Sequence, residues 1–257
     1  MEHKNTGDLL AEDDDPLDIR LDNVFKAVFT RDSPESKGAL SRMVSGITGW
    51  TLSVIRLDAN EPPVGDTADR QLRFDINCRA ETGELVNVEM SFNPGAFEPV
   101  RLEYHAAKLF TAQGIRGAKK SYGDLKEAYQ ISFLARRFFR DGDFLHRFEY
   151  YDGERRAPLG GRSRIITLEL GKADAEKAAE AMGAPERWAV FFRYLTDRGK
   201  RRKINEIARY EEGIAMAGAA VMGISRDEAE RFRLLGEHKR ELDLQSGFVE
   251  AERAGER

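Results

Sequence analysis

Two carboxylates, Asp75 and Glu89, stand fourteen positions apart in the stretch RFDINCRAETGELVNVEMSF, residues 73–92. Val86, Val88, Met90 and Phe92 alternate with Asn87, Glu89 and Ser91, and Phe74, Ile76 and Cys78 alternate with Asp75 and Asn77. Side chains of a strand alternate between its faces, so each half reads as a strand with one apolar face and one face carrying a carboxylate. Ala80-Glu81-Thr82-Gly83-Glu84 between them has the Gly and small polar residues of a hairpin loop. Such a hairpin brings Asp75 and Glu89 together at one edge of a sheet, with the carboxylates within about 6 Å of each other. Two carboxylates so placed can hold a hard divalent ion such as Mg²⁺, which takes one or two carboxylates, waters and phosphate oxygens of a substrate. The same alternation also fits a half-solvated antiparallel sheet with no ion at all, and the pattern alone leaves both readings open.

The elements that must position this hairpin follow from periodicity. Leu21, Val24, Phe25, Val28 and Phe29 recur at three and four and predict a first helix, on which Asp22 and Lys26 lie four apart. Ser33 can cap a second helix with Pro34 at its first position, and Leu40, Met43, Val44 and Ile47 form its apolar face up to Gly49. Trp50 to Leu57 reads as a strand and Asn60 to Asp66 as a loop. A helix from about Glu98 to Gln113 sets Arg101, Tyr104, His105, Lys108 and Ala112 on one side and Leu102, Ala106, Leu109 and Phe110 on the packing side. Tyr129 to Phe139, Phe144 to Tyr151 and Ile165 to Leu170 are further strands, with Asp152-Gly153 a turn.

This order gives an α/β domain over residues 17–170, a mixed β-sheet flanked by helices. Residues 1–16 read as a disordered acidic leader. Residues 171–257 read as a helical C-terminal extension, with Ala173 to Met182 Ala-rich and Pro185 to Leu195 carrying Trp188, Phe191 and Phe192. Arg198 to Lys203 is a basic cluster that serves either as a solvated turn or as a phosphate contact. Ser225-Arg226-Asp227-Glu228 reads as a capping box, opening a last helix with Phe232, Leu235, Leu242 and Val249 as a thin apolar stripe. That stripe suits packing on the chain itself or pairing of two copies.

Composition narrows the class. The 257 residues are 41% apolar and 33% charged, those of a soluble globular protein at the polar end. No apolar run approaches the ~18 residues of a membrane span, and the acidic start is unlike a secretory signal, so a cytoplasmic protein without membrane insertion is expected. The single cysteine, Cys78, excludes an internal disulfide and a cysteine zinc cluster, and its place on the apolar strand face predicts a buried structural thiol. Net charge is −4, yet residues 101–164 hold fourteen Lys or Arg against eight acids, so a local basic surface is compatible with the acidic total.

Taken together, LDNVFKAVF, RFDI around Asp75, NVEMSF around Glu89, Arg101-Leu-Glu-Tyr104 and Tyr122-Gly-Asp-Leu125 followed by YQISFL resemble the PD-(D/E)XK nuclease family transposases, the group that includes recombination-promoting nucleases. The resemblance covers residues 17–170, and MGISRDEAER is similar to the helical tail of those proteins. It implies a restriction-endonuclease-like fold and Mg²⁺- or Mn²⁺-dependent endonuclease cleavage of DNA in recombination or transposition. Asp75 and Glu89 would be metal ligands, with the Met90 backbone carbonyl a third and Asp22 a further candidate. Two residues after Glu89 the superfamily pattern has Lys and this group often Gln, whereas this chain has Ser91, a neutral donor in place of a charge. Lys108, Arg101 or Lys26 could supply that charge from a helix and contact DNA phosphates. The competing reading is a catalytically weak relative that binds DNA or a protein as a scaffold.

Overall fold

The structure, a computed structural model, describes residues 8–58, 75–115 and 121–240. The predicted loop at residues 60–66, Phe74, Lys119 and Lys120, and Leu242 and Val249 lie outside them.

The first two helices are α1 (Asp22–Phe29) and α2 (Pro34–Thr48). Ser33 Oγ accepts the Ser36 N–H at 3.1 Å, Pro34 occupies the first turn, and Gly49 closes α2 at φ 80°, where a side chain would be strained. Next come β1 (Val54–Leu57), β2 (Ile76–Ala80), β3 (Leu85–Ser91), α3 (Glu98–Thr111), β4 (Ala128–Leu134) and β5 (Leu145–Phe148). A two-strand hairpin, β6 (Tyr151–Asp152) and β7 (Ala157–Pro158), precedes β8 (Ser163–Glu169). Then follow α4 (Ala184–Tyr194), α5 (Arg201–Tyr210), α6 (Glu212–Arg226) and α7, residues 228–240.

Six strands form one mixed sheet in the order β1-β2-β3-β4-β8-β5. β1 and β2 pair antiparallel, as do β2 and β3, whereas β3, β4 and β8 run parallel and β5 returns antiparallel at the edge. Parallel neighbours need a long crossover, and α3 supplies it between β3 and β4. The expected α/β architecture, a mixed sheet flanked by helices, is what the chain forms.

Val88, Ile131, Phe133, Ile166 and Leu168 project from one sheet face into a core shared with α1, α2, α4 and α6. At its centre Phe25 and Phe29 of α1 meet Phe133 of β4 and Trp188 and Phe192 of α4, with Phe191 against Trp188. The packing therefore runs across residue 170, where the sequence suggested a division. Cys78 is fully buried on this face; burial, with the Asp58 charge adding, pushes its thiol up to about 12, so it is an inert structural side chain.

Four local readings differ from the structure. Residues 8–16 are not loose: Leu10 is buried, its backbone exchanges two hydrogen bonds with the Asn205 amide at 2.8 and 2.9 Å, and Asp8, Asp14 and Asp15 pair with Arg209, Arg226 and Arg231. The strand predicted from Trp50 begins only at Val54. The Ala-rich segment 173–183 is turns and short 3₁₀ pieces, with the Arg187 and Arg193 side chains donating to the carbonyls of Ala179, Leu170 and Ala173. Asp227, not Ser225, caps α7, its Oδ1 accepting the Glu230 N–H at 3.0 Å; Ser225 Oγ is taken by Val221 O and the Leu17 N–H. Along α7, Leu234 is buried while Phe232 is 82% exposed. No helix among the described residues is long and apolar enough to cross a membrane.

Candidate active site

The hairpin forms as the alternation requires. Ile76 pairs with Val88 and Cys78 with Val86, which sets Asp75, one position further, opposite Glu89 at the end of the antiparallel ladder. Asp75 Oδ2 accepts the Met90 backbone N–H at 3.0 Å, fastening the carboxylate beside the β3 residue that follows Glu89.

The polar strand face is not solvated. Asn87 and Glu89 are buried under α3, together with Gln130 and Ser132 of β4 and Thr167 of β8. A buried carboxylate must be held by donors. Asn87 Nδ2 donates to Glu89 Oε1 at 2.9 Å and to Gln130 Oε1 at 2.7 Å, and His105 Nδ1 of α3 lies against the same Glu89 oxygen. Among the described residues Glu89 Oε2 makes no well-aligned hydrogen bond, although Arg101 Nη1 stands 3.1 Å away as an ion pair. Arg101 is itself anchored by Glu98, 2.6 Å from Nη2 to Oε1.

Asp75 has its own cation. Lys26 Nζ of α1 lies 3.3 Å from Asp75 Oδ1 and 2.8 Å from Asp22 Oδ2. Burial pulls the Lys26 ammonium down, but Asp75 and Asp22 together leave it raised. Asp75 is raised to about 7, first by burial, then by the Asp22 charge, with Glu89 adding and Lys26 and the Met90 N–H opposing.

The folded protein holds the Asp75 proton more tightly than the unfolded chain, whose carboxyl titrates near 3.8, so this group's contribution falls as pH rises from about 4 to about 7 and is flat above. At ~1.4 kcal/mol per pH unit the loss reaches roughly 2–4 kcal/mol. Asp75→Asn should therefore be more stable than wild type at pH 8 in chelator and equal to it near pH 4. Urea melts at both pH values check this; a wild-type advantage at pH 8 would contradict it.

Of the residues singled out in the sequence, Asp22, Lys26, Asp75, Glu89 and Arg101 are brought together. Ser91 is two positions beyond Glu89 on the same strand face, half-buried. Lys108 is set apart: its Nζ lies over the Tyr104 ring, 5.5 Å from the centroid, and it pairs with neither carboxylate. His105, Asn87 and Gln130 were not read as site residues. The polar alternation around Glu89 and the four-residue step from Arg101 to His105 were the available signals.

The residues fit a divalent cation. A buried carboxylate oxygen without a well-aligned donor and a neighbouring carboxyl that holds its proton near neutrality are both relieved by one positive ion. A second group, Asp141, His146 and Glu169, offers one ligand atom each within 4.8 Å of one another on the far strands of the sheet. There Lys172 Nζ sits 2.7 Å from Glu169 Oε1 and 3.2 Å from Asp141 Oδ1, as Lys26 and Arg101 sit on the carboxylates of the first site.

No curated protein and no solved structure matches the chain. A family model described as PD-(D/E)XK nuclease family transposase matches residues 19–251, spanning both the sheet and the helices after it, and its fold is the restriction-endonuclease-like α/β arrangement seen here. With Glu89 on β3, Asp75 at the end of the β2–β3 ladder and this match over most of its length, the chain belongs to the PD-(D/E)XK nuclease family transposases.

Proposed function

We propose that this protein is a metal-dependent DNA endonuclease, hydrolysing phosphodiester bonds in the recombination or transposition of mobile DNA. Asp75 and Glu89 would hold Mg²⁺ or Mn²⁺, with the Met90 carbonyl as a third ligand. The observation that carries this reading is that each carboxylate is met by a cation from a different helix, Lys26 of α1 on Asp75 and Arg101 of α3 on Glu89. A bound divalent ion supplies an acidified water and neutralises charge gathering on the phosphate. The chain's own residues do the rest. Asn87 and His105 hold Glu89 in one rotamer, and Lys26 and Arg101, 31% and 40% exposed, can turn from the carboxylates toward phosphate oxygens once an ion takes their place.

Ser91 favours a second reading, a catalytically weak relative that binds DNA as a scaffold, because its hydroxyl carries no charge for the attacking water or the phosphate. On the endonuclease reading the charge comes from Lys26 and Arg101 instead. Wild type should convert supercoiled plasmid to nicked circles in Mg²⁺, and Arg101→Ala or Lys26→Ala should lower the rate about 10²-fold. Ser91→Lys, placing a cation on the Glu89 face of β3, should raise it about tenfold. If wild type and Ser91→Lys both leave plasmid intact in Mg²⁺ and Mn²⁺ while DNA still binds, the scaffold reading replaces this one. Pairing of two copies through α7, where Phe232 and Leu235 are exposed, belongs to the same proposal, and sedimentation of wild type against Phe232→Ser tests it.

A further inference from the structure

The outer surface of α3 carries an arrangement that metal chemistry does not use. Phe97, Arg101, Tyr104 and Lys108 follow one another at steps of four, three and four, so they form a single stripe along the helix in which rings and cations alternate. Phe97 is 83% exposed and Tyr104 48%, and Val100 between them is 63% exposed. Arg101 ties the stripe to Glu89, and Lys108 Nζ already lies over the Tyr104 ring. Across the site from α3, Phe92 follows Ser91 directly, is 41% exposed, and has the Arg20 guanidinium 5.7 Å from its ring centroid.

We propose that this stripe is a stacking platform for unpaired bases, and that the protein takes single-stranded or locally unpaired DNA at the Asp75–Glu89 site. The inference rests on the endonuclease reading for the position of the cleaved bond. Contact with duplex phosphates needs cations alone, and rings left open to water contribute nothing to it. Unpaired bases do use them: each offers a π face to an aromatic ring while a cation beside the ring meets the neighbouring phosphate, the combination seen along this helix. Of the two acids on α3, Glu98 is buried and paired with Arg101, and Glu103 is exposed beside Tyr104. The strand would run along α3 between Lys108 and Phe97, past Arg101, which reaches Glu89.

Fluorescence anisotropy in chelator separates this proposal from the cleavage reading, because it measures binding without turnover. A labelled single strand and a hairpin duplex of the same sequence are titrated with wild type, Phe97→Ala, Tyr104→Ala, the double variant and Lys108→Ala. Wild type should bind the single strand at least tenfold more tightly than the duplex. Each aromatic substitution should weaken single-strand binding about tenfold and leave duplex binding and the salt slope unchanged. Lys108→Ala should weaken both and make the salt slope shallower. Both rings are exposed, so thermal melts should match wild type. Equal wild-type affinity for the two forms, or aromatic substitutions that move both alike or neither, would overturn the proposal. A change of oligomeric state on Phe97→Ala would do so too, by making the stripe an interface between copies. Plasmid nicking without strand preference sinks this inference alone; strand preference without nicking sinks the endonuclease reading and leaves the platform.

Discussion

Supercoiled plasmid incubated in Mg²⁺ with the Glu89→Gln protein is expected to remain supercoiled, with nicking at least about 10³-fold below wild type. The substitution keeps the shape of the side chain and its place between Asn87 and His105, so the fold stays. What it removes is the charge on Oε2, the buried oxygen that among the described residues accepts no well-aligned hydrogen bond and faces Arg101 3.1 Å away. A neutral amide oxygen holds a hard cation far more weakly than a carboxylate does. Isothermal titration with Mn²⁺ should lose its binding signal in the same variant, while the melt stays within ~2 °C of wild type. Should Glu89→Gln nick as fast as wild type, Glu89 is no ligand, and Glu169→Gln at the Asp141–His146–Glu169 group becomes the decisive substitution.

The second large effect is on folding. Phe192→Ala is expected to cost about 3–5 kcal/mol, the range for removing a fully buried aromatic side chain. Its ring centroid lies 4.5 Å from that of Phe133, 5.9 Å from Phe25 and 6.1 Å from Phe29, so one side chain of α4 closes the core beneath the sheet and α1 at once. A chain ended at residue 170 should fail to fold, because Phe25, Phe29 and Phe133 would face water together. Urea unfolding followed by far-ultraviolet circular dichroism and by Trp fluorescence should give one coincident transition in the full chain. Two separated transitions, or a soluble folded 1–170 fragment, would contradict this.

What the sequence revealed of the site was whatever a period of two or a local cap controls. Alternation placed Asp75 and Glu89 on one face, and Ser33-Pro34 and Gly49 bounded α2, because each depends on neighbours a few positions away. The contacts of His105 with Glu89 and of Gln130 with Asn87 were hidden for the opposite reason. His105 reaches Glu89 only because α3 crosses back over the sheet, and Gln130 accepts from Asn87 only because β4 pairs beside β3. The same applies to segment 173–183, whose helix-favouring alanines form turns and short 3₁₀ pieces, with Arg187 and Arg193 donating from α4 to the carbonyls of Ala179 and Ala173. Ser225 has the right residue type for a cap, but Leu17, more than two hundred positions earlier, takes its hydroxyl.

That last contact belongs to the seam in which Leu10, Asp14 and Asp15 meet Asn205, Arg226 and Arg231. Its partners are separated by nearly the whole chain, so on the ribosome the first residues wait, at ~5–20 residues per second, some ten to forty seconds before anything exists to receive them. Closing so long a loop is also slow in refolding, since its entropy is lost before the contacts form. The sheet hairpin, whose strands are neighbours, can assemble in that interval, and the seam is then the last part to set. A refolding experiment should accordingly recover the hairpin's amide protection before that of Leu10 and Leu17, with the order of events in time running opposite to the order of residues in the chain.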